Sequence, residues 1–218
     1  MSKAPRAARD LKQQRAKATR TDILQAAIDL FARRGILATT MAELARTIKM
    51  TPGALYWHFP TKEDLLLAAI DELHQRYLHQ FGSLLAEGRK TWTAKQQLSN
   101  FVERIHAFLR ENSNHGIFFG MLSAEAAENN ERVAQALRDA LSIYVHALAG
   151  IIRYGQKKTK EFRDDVDALT LAHSMLFANV GIIVHQHLFA ATLSYDPLIS
   201  TMHTVVLDGV ALVAPKQS

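Results

Sequence analysis

The chain contains no cysteine. That excludes a disulfide framework and a thiolate zinc site, and it fits a reducing, cytoplasmic setting. The short patterns of catalysis and nucleotide handling are missing too: there is no GxSxG, no GxGxxG, no GxxxxGK followed by Ser or Thr, and no HExxH. An enzyme is therefore not the expectation, and no cofactor is implied. Ten histidines are present, but none are spaced HxxxH, and His185 and His187 fall on nearly opposite sides of a helix. No metal site is expected. The basic N-terminus has no apolar run behind it, so no signal peptide is expected. Alternating strand patterns and hairpin turns are also lacking, which leaves an all-α chain. The most apolar stretch, 166–193, is interrupted by Asp167, His173, Asn179, His185, Gln186 and His187. Those polar side chains argue against a membrane span.

What is present begins with charge. The chain has 218 residues, room for one domain or two small ones with a real core. Residues 1–20 carry Lys3, Arg6, Arg9, Lys12, Arg15, Lys17 and Arg20 against Asp10 alone, while the whole chain is only +5. A basic arm on a near-neutral body is the footprint of a DNA binder, because such side chains displace counterions from phosphates. The rival reading is a solubilising tail.

The residues that follow have helix-turn-helix grammar. Thr21 reads as the cap of a first helix, with Ile23, Leu24, Ala27, Ile28 and Phe31 on one face and Gly35 closing it. Thr40 is a good N-cap, with Glu43 placed to complete a capping box, and Met41, Leu44, Ala45 and Ile48 form an apolar stripe. Thr51-Pro52 restarts the chain, and about two turns later Phe59-Pro60 stops it. Thr61 caps a longer helix through Leu65, Leu66, Ile70, Leu73 and Tyr77 that stops near Gly82. Phe31, Leu44, Leu55 and Phe59 are the expected core of a three-helix head.

The run ATTMAELARTIKMTPGALYWHFPTKEDLL resembles the DNA-binding segment of the TetR family of bacterial repressors, above all in LYWHF and the Lys-Glu-Asp-Leu-Leu helix start. The resemblance covers about residues 17–77. Composition gives a basic flexible arm at 1–18; the resemblance implies a helix-turn-helix DNA-binding domain at 19–64 with its motif at about 40–59, and a ligand-binding and dimerisation domain at 65–218. It also implies that Thr40, Tyr56, His58 and Lys62 contact the DNA backbone, and that Thr51, Pro52, Gly53 and Leu55 face the groove or line its entry. Leu55 has a competing reading as core, and Trp57 is divided between core and DNA surface. The chain departs from the family pattern at Lys49, where the family's turn carries glycine. A left-handed lysine costs about 1 kcal/mol, so either the turn differs or the strain is tolerated beside a phosphate. The recognition helix, which starts at Thr51-Pro52, offers no Arg, Asn or Gln, so base choice would rest on Thr51, thymine methyls and DNA shape.

Beyond the head the periodicity predicts helices at 93–111, 117–127, 130–154, 164–191 and 196–212, with a polar link at 156–163. The last two are apolar enough to bury one face inward and the other on a second copy, as the family's four-helix dimer interface does. A twofold dimer would read a palindromic operator with half-sites about 34–36 Å apart. The resemblance further implies a small-molecule effector bound in the body. Phe108, Phe118, Phe119, Met121, Tyr144, His173 and Phe177 are its candidate contacts, and they suggest a mainly apolar or aromatic ligand. The rival functions are a DNA-binding activator or adaptor whose body recruits a protein, and an enzyme with a basic arm.

Overall fold

The computed structural model describes residues 6–87, 91–126, 129–189, 192 and 194–211. Among them the regular structure is helical, apart from one isolated antiparallel bridge between Phe162 and Ala211. The helices are α1 (Arg6–Arg34), α2 (Met41–Thr47), α3 (Pro52–His58), α4 (Lys62–Glu87), α5 (Ala94–Glu111), α6 (Ser113–Met121), α7 (Glu131–Tyr154), α8 (Ala168–His185) and α9 (Tyr195–Val210). A π-helical turn, Leu122–Ala126, continues α6, another, Gly155–Thr159, continues α7, and a 3-10 turn, Gln186–Phe189, ends α8. The fold is all-α, a helix-turn-helix head on a helical body.

Side-chain oxygens start these helices by satisfying orphan N–H groups. Thr40 Oγ1 accepts from the Glu43 N–H at 3.2 Å, Thr51 Oγ1 from Ala54 at 3.2 Å, and Thr61 Oγ1 from Asp64 at 3.0 Å. The Thr40 capping box is only half formed. Glu43 does not reach back to Thr40; its carboxylate is paired with Arg34.

Several expected boundaries are corrected. Thr21 does not open the first helix, which begins at Arg6; residues 6–20 are rich in Ala, Lys, Arg and Gln, all good helix formers, with no Gly or Pro to stop them. The arm from residue 6 onward is thus helical, and residues 1–5 lie outside the described residues. Helix α4 continues through Gly82 to Glu87. Helix α6 resumes at Ser113, directly after Asn112. Asp167, not Asp164, caps α8 by accepting from the Thr170 N–H at 2.8 Å, and that helix ends at His185. The 156–163 link is not simply polar: Phe162 is 1% exposed, and its ring lies where a side chain on Gly155 would have to go.

Two apolar clusters hold the molecule. The first joins Ile23, Phe31, Leu44, Leu55, Phe59 and Leu65 of the head to Phe118, Leu122 and Val133 of the body without a break. Phe31 of α1 stacks on Phe118 of α6 with ring centroids 6.0 Å apart. Full burial of one such side chain is worth about 3 kcal/mol. The second cluster packs α5, α7, α8 and α9 around Leu98, Phe101, Ile152, Phe162 and Met175. The head therefore shares a core with α6, which positions everything that follows.

Candidate functional site

The α2–α3 unit is short, and its geometry follows from one residue. Lys49 adopts φ +57°, so the turn is built left-handed in spite of its side chain. The chain then turns tightly enough for the Met50 N–H to donate to the Ala45 carbonyl at 2.9 Å. Leu55 and Phe59 are 0% and 1% exposed and anchor α3 from behind. Leu55 is therefore corrected from a groove contact to a core residue; no part of it reaches solvent. On the outer side Thr40, Lys49, Thr51, Pro52, Gly53, Tyr56 and Trp57 are all exposed, Trp57 most of all at 78%. Trp57 is thus a surface residue, its ring edge-on to His58 with centroids 4.8 Å apart. A side chain added at Gly53 would meet nothing within 4 Å, so packing does not require glycine there. Its bareness leaves the backbone of the first turn open to close approach.

Behind this surface lies a polar joint between head and body. The carboxylate of Glu125, on the π turn after α6, accepts from the backbone N–H groups of Ile36 and Leu37 at 2.8 and 2.7 Å. Lys62, which the resemblance sets against phosphate, is turned inward. Its ammonium donates to the carbonyls of Ile36 and Thr39, and burial lowers its pKa, opposed by the charge of Glu125. Nearby, Glu63 accepts from Asn130, which caps α7, and pairs with Arg132 within that helix, and Asn114 of α6 donates to Asp29 of α1 at 2.8 Å. Gly35, at φ +86°, lets the α1–α2 loop pass against Glu125.

The body holds a partly open cavity where α4, α5, α6, α7 and α8 meet. Its free volume is about 80 Å³, inside a hollow of about 710 Å³ when space open to solvent is counted. Of the seven candidate ligand contacts, Phe119 and Tyr144 line it. The other five do not, and the physical reason differs for each. Phe118 is fully buried against Phe31. Phe108 packs on Tyr77 and borders a separate polar cleft with Glu72 and Arg76. Met121 packs against the head-side core. His173 and Phe177 share a face, their rings 5.9 Å apart, but it is the outer face of α8, where Phe177 is 64% exposed.

Sequence reasoning missed the residues that give the cavity its character. His106 is buried and its Nε2 lies 2.5 Å from Asn179 Oδ1, while the Asn179 amide donates to the Met175 carbonyl at 2.7 Å. Burial lowers the His106 pKa, partly countered by the Asn179 hydrogen bond. Helix α5 has His106 on its apolar stripe, four residues after Val102, and that misplaced polar group was the available signal. Glu125 carried no comparable signal, since its partners are some ninety residues away in sequence.

Comparisons with known proteins agree with this geometry. The model described as "Bacterial regulatory proteins, tetR family" matches residues 23–69, and that described as "Tetracyclin repressor-like, C-terminal domain" matches residues 94–202. The chain is similar to the HTH-type transcriptional regulator TtgR of Pseudomonas putida, 40% identical over 67 residues, or 31% of this chain and 32% of that protein. The match thus spans about a third of that curated relative. Similarity to the HTH-type transcriptional repressor KstR2 of Rhodococcus jostii is longer: 28% identity over 196 residues, 88% of this chain and 91% of that one. Among solved structures, FadR from Bacillus subtilis in complex with stearoyl-CoA superposes with a TM-score of 0.69 at 18% identity, over 87% of this chain and 98% of that chain. That last likeness is one of fold.

Proposed function

The chain belongs to the TetR family of bacterial regulatory proteins, and on that premise we propose that it is a homodimeric repressor, released from a palindromic operator by a mainly apolar small molecule. The domain division proposed is an arm at 1–18, a DNA-binding domain at 19–64 and a ligand-binding and dimerisation domain at 65–218. One observation carries the reading: α3 exposes Tyr56 and Trp57 on one side while its other side is fixed in a core continuous with the helix that borders the cavity. Thr40, Lys49, Thr51, Pro52, Gly53, Tyr56, Trp57 and His58 form the proposed DNA surface. Acting on DNA places the protein in the cytoplasm.

The cavity's free volume, about 80 Å³, is smaller than ordinary small-molecule sites of about 300–1,000 Å³. An effector of that size has to part the helices around it. It therefore binds the parted arrangement better, which is the differential affinity that any release mechanism requires. Helix α6 is the element that moves, and Glu125 at its end is the hold on the head. The repressor designation of KstR2 supports the sign of regulation, and the stearoyl chain of the stearoyl-CoA bound to FadR supports an apolar portion in the effector.

For the dimer, support comes from apolar surface that a single chain leaves uncovered. Phe177, Leu188 and Val205 are 64%, 75% and 65% exposed. Helix α8 is long and apolar enough to cross a membrane, yet only 22% of it is buried within one chain. The last two helices of each of two copies would cover this surface as a four-helix interface. Sedimentation velocity tests it together with selection of bound fragments from genomic DNA. A dimer that selects fragments with twofold repeats is expected, and Phe177→Asp should dissociate it and weaken DNA binding. A wild-type chain that stays monomeric at micromolar concentration, or selects no fragment over bulk DNA, contradicts the proposal.

A further inference from the structure

The cavity's chemistry constrains the effector beyond its being apolar, and this inference rests on the reading that the cavity is the effector site. Among the described residues sixteen line it, and none of these is Asp, Glu, Lys or Arg. A carboxylate, phosphate or ammonium brought inside would have no counter-charge, and burying an unpaired ion costs several kcal/mol. His106 does not supply a cation, because burial holds it neutral at pH 7. Its Nε2 and the amide of Asn179 already satisfy one another and the Met175 carbonyl.

One polar side chain of the lining is different. The Tyr144 hydroxyl is buried with no hydrogen-bond partner among the described residues, although its ring is fixed by Tyr77 at 5.4 Å and His74 at 6.2 Å. Burial raises its pKa, so it stays protonated and can donate. A buried hydroxyl left unpaired is costly, and a ligand oxygen that accepts from it recovers that cost on binding. We infer that the effector is an electroneutral lipophilic molecule bearing a hydrogen-bond acceptor, such as a ketone or ester oxygen, that accepts a hydrogen bond from the Tyr144 hydroxyl. The remainder of the molecule lies against Phe101, Leu109, Phe119, Leu148 and Ile183.

Matched probes separate the parts of this statement. The series is a methyl ketone, the corresponding hydrocarbon and the corresponding carboxylate on each of three frames: benzene, naphthalene and a ten-carbon chain. Binding to the full chain is measured by calorimetry. On at least one frame the ketone should bind about fivefold or more tighter than the hydrocarbon, the worth of one hydrogen bond. The carboxylate should bind at least tenfold more weakly than the ketone. Tyr144→Phe should collapse the ketone's affinity onto the hydrocarbon's. Equal affinity of ketone and hydrocarbon, a carboxylate as tight as the ketone, a preference that survives Tyr144→Phe, or no binding on any frame each overturns the inference. Fluorescence anisotropy on DNA is read in parallel. Ligand preferences as stated in a chain that binds no DNA would leave this inference standing and remove the regulator reading. DNA binding with the wrong preferences would do the reverse.

Discussion

Lys49 is a residue whose cost and use can be separated. Its backbone is left-handed at φ +57°, a conformation glycine reaches freely, so Lys49→Gly should stabilise the fold by about 1 kcal/mol in urea titrations. If its exposed ammonium rests on a phosphate, the same variant should lower the slope of log affinity against log salt by about one. An unchanged slope would leave the lysine without a DNA role. His115 gives a second prediction. It is 2% exposed, and burial, with Arg76 nearby, pushes its pKa down to about 4. A histidine depressed in the folded state takes up its proton first in the unfolded chain. Stability is therefore unaffected above about pH 6.5 and falls as the pH drops from there toward 4, by about 2 kcal/mol at pH 5. Urea midpoints at pH 7 and 5 should separate for the wild type, and separate less for His115→Gln. Equal losses in both proteins would place the acid sensitivity elsewhere.

At the scale of elements, the joint between α6 and the head is the part with most at stake. Glu125→Ala leaves the N–H groups of Ile36 and Leu37 without their acceptor and should cost about 1–3 kcal/mol in thermal or urea unfolding. It should also shrink the effect of a bound ligand on DNA affinity, while Glu125→Gln, which keeps an acceptor oxygen, should restore most of it. A ligand response undiminished in Glu125→Ala would mean that the coupling runs by another route. This joint also marks the limit of what sequence could reveal. Caps at Thr40, Thr51 and Thr61, the stop at Phe59-Pro60 and the burial of Phe31 and Leu44 are local chemistry and periodicity, so they were legible. The start of α1 was not, because a Thr-Asp pair looks like a cap even inside a run of strong helix formers. Leu55 could not be both core and groove contact, and its apolar spacing pointed to the core. The cavity lining failed for a different reason. Aromatic residues of α6 and α8 have several faces available, and only tertiary packing decides that Phe119 turns to the cavity, Phe118 to α1 and Phe177 outward.

For the whole molecule, head and body share one apolar core and one polar joint, so body and recognition helix form a mechanical unit. That continuity distinguishes a sensor from a DNA-binding head on a loose tether. The proposal sets the exposed face of α3 against DNA. The most direct test is fluorescence anisotropy on the fragment that genomic selection returns, measured across a salt series for the wild type, Tyr56→Ala and Trp57→Ala. Both side chains are exposed, at 47% and 78%, so their loss should leave the melting temperature within a few degrees. The account predicts binding far tighter than to random DNA, falling steeply with salt, and weakened tenfold or more in both variants. Binding no tighter than to random DNA, or equal affinity in wild type and both variants, would contradict it.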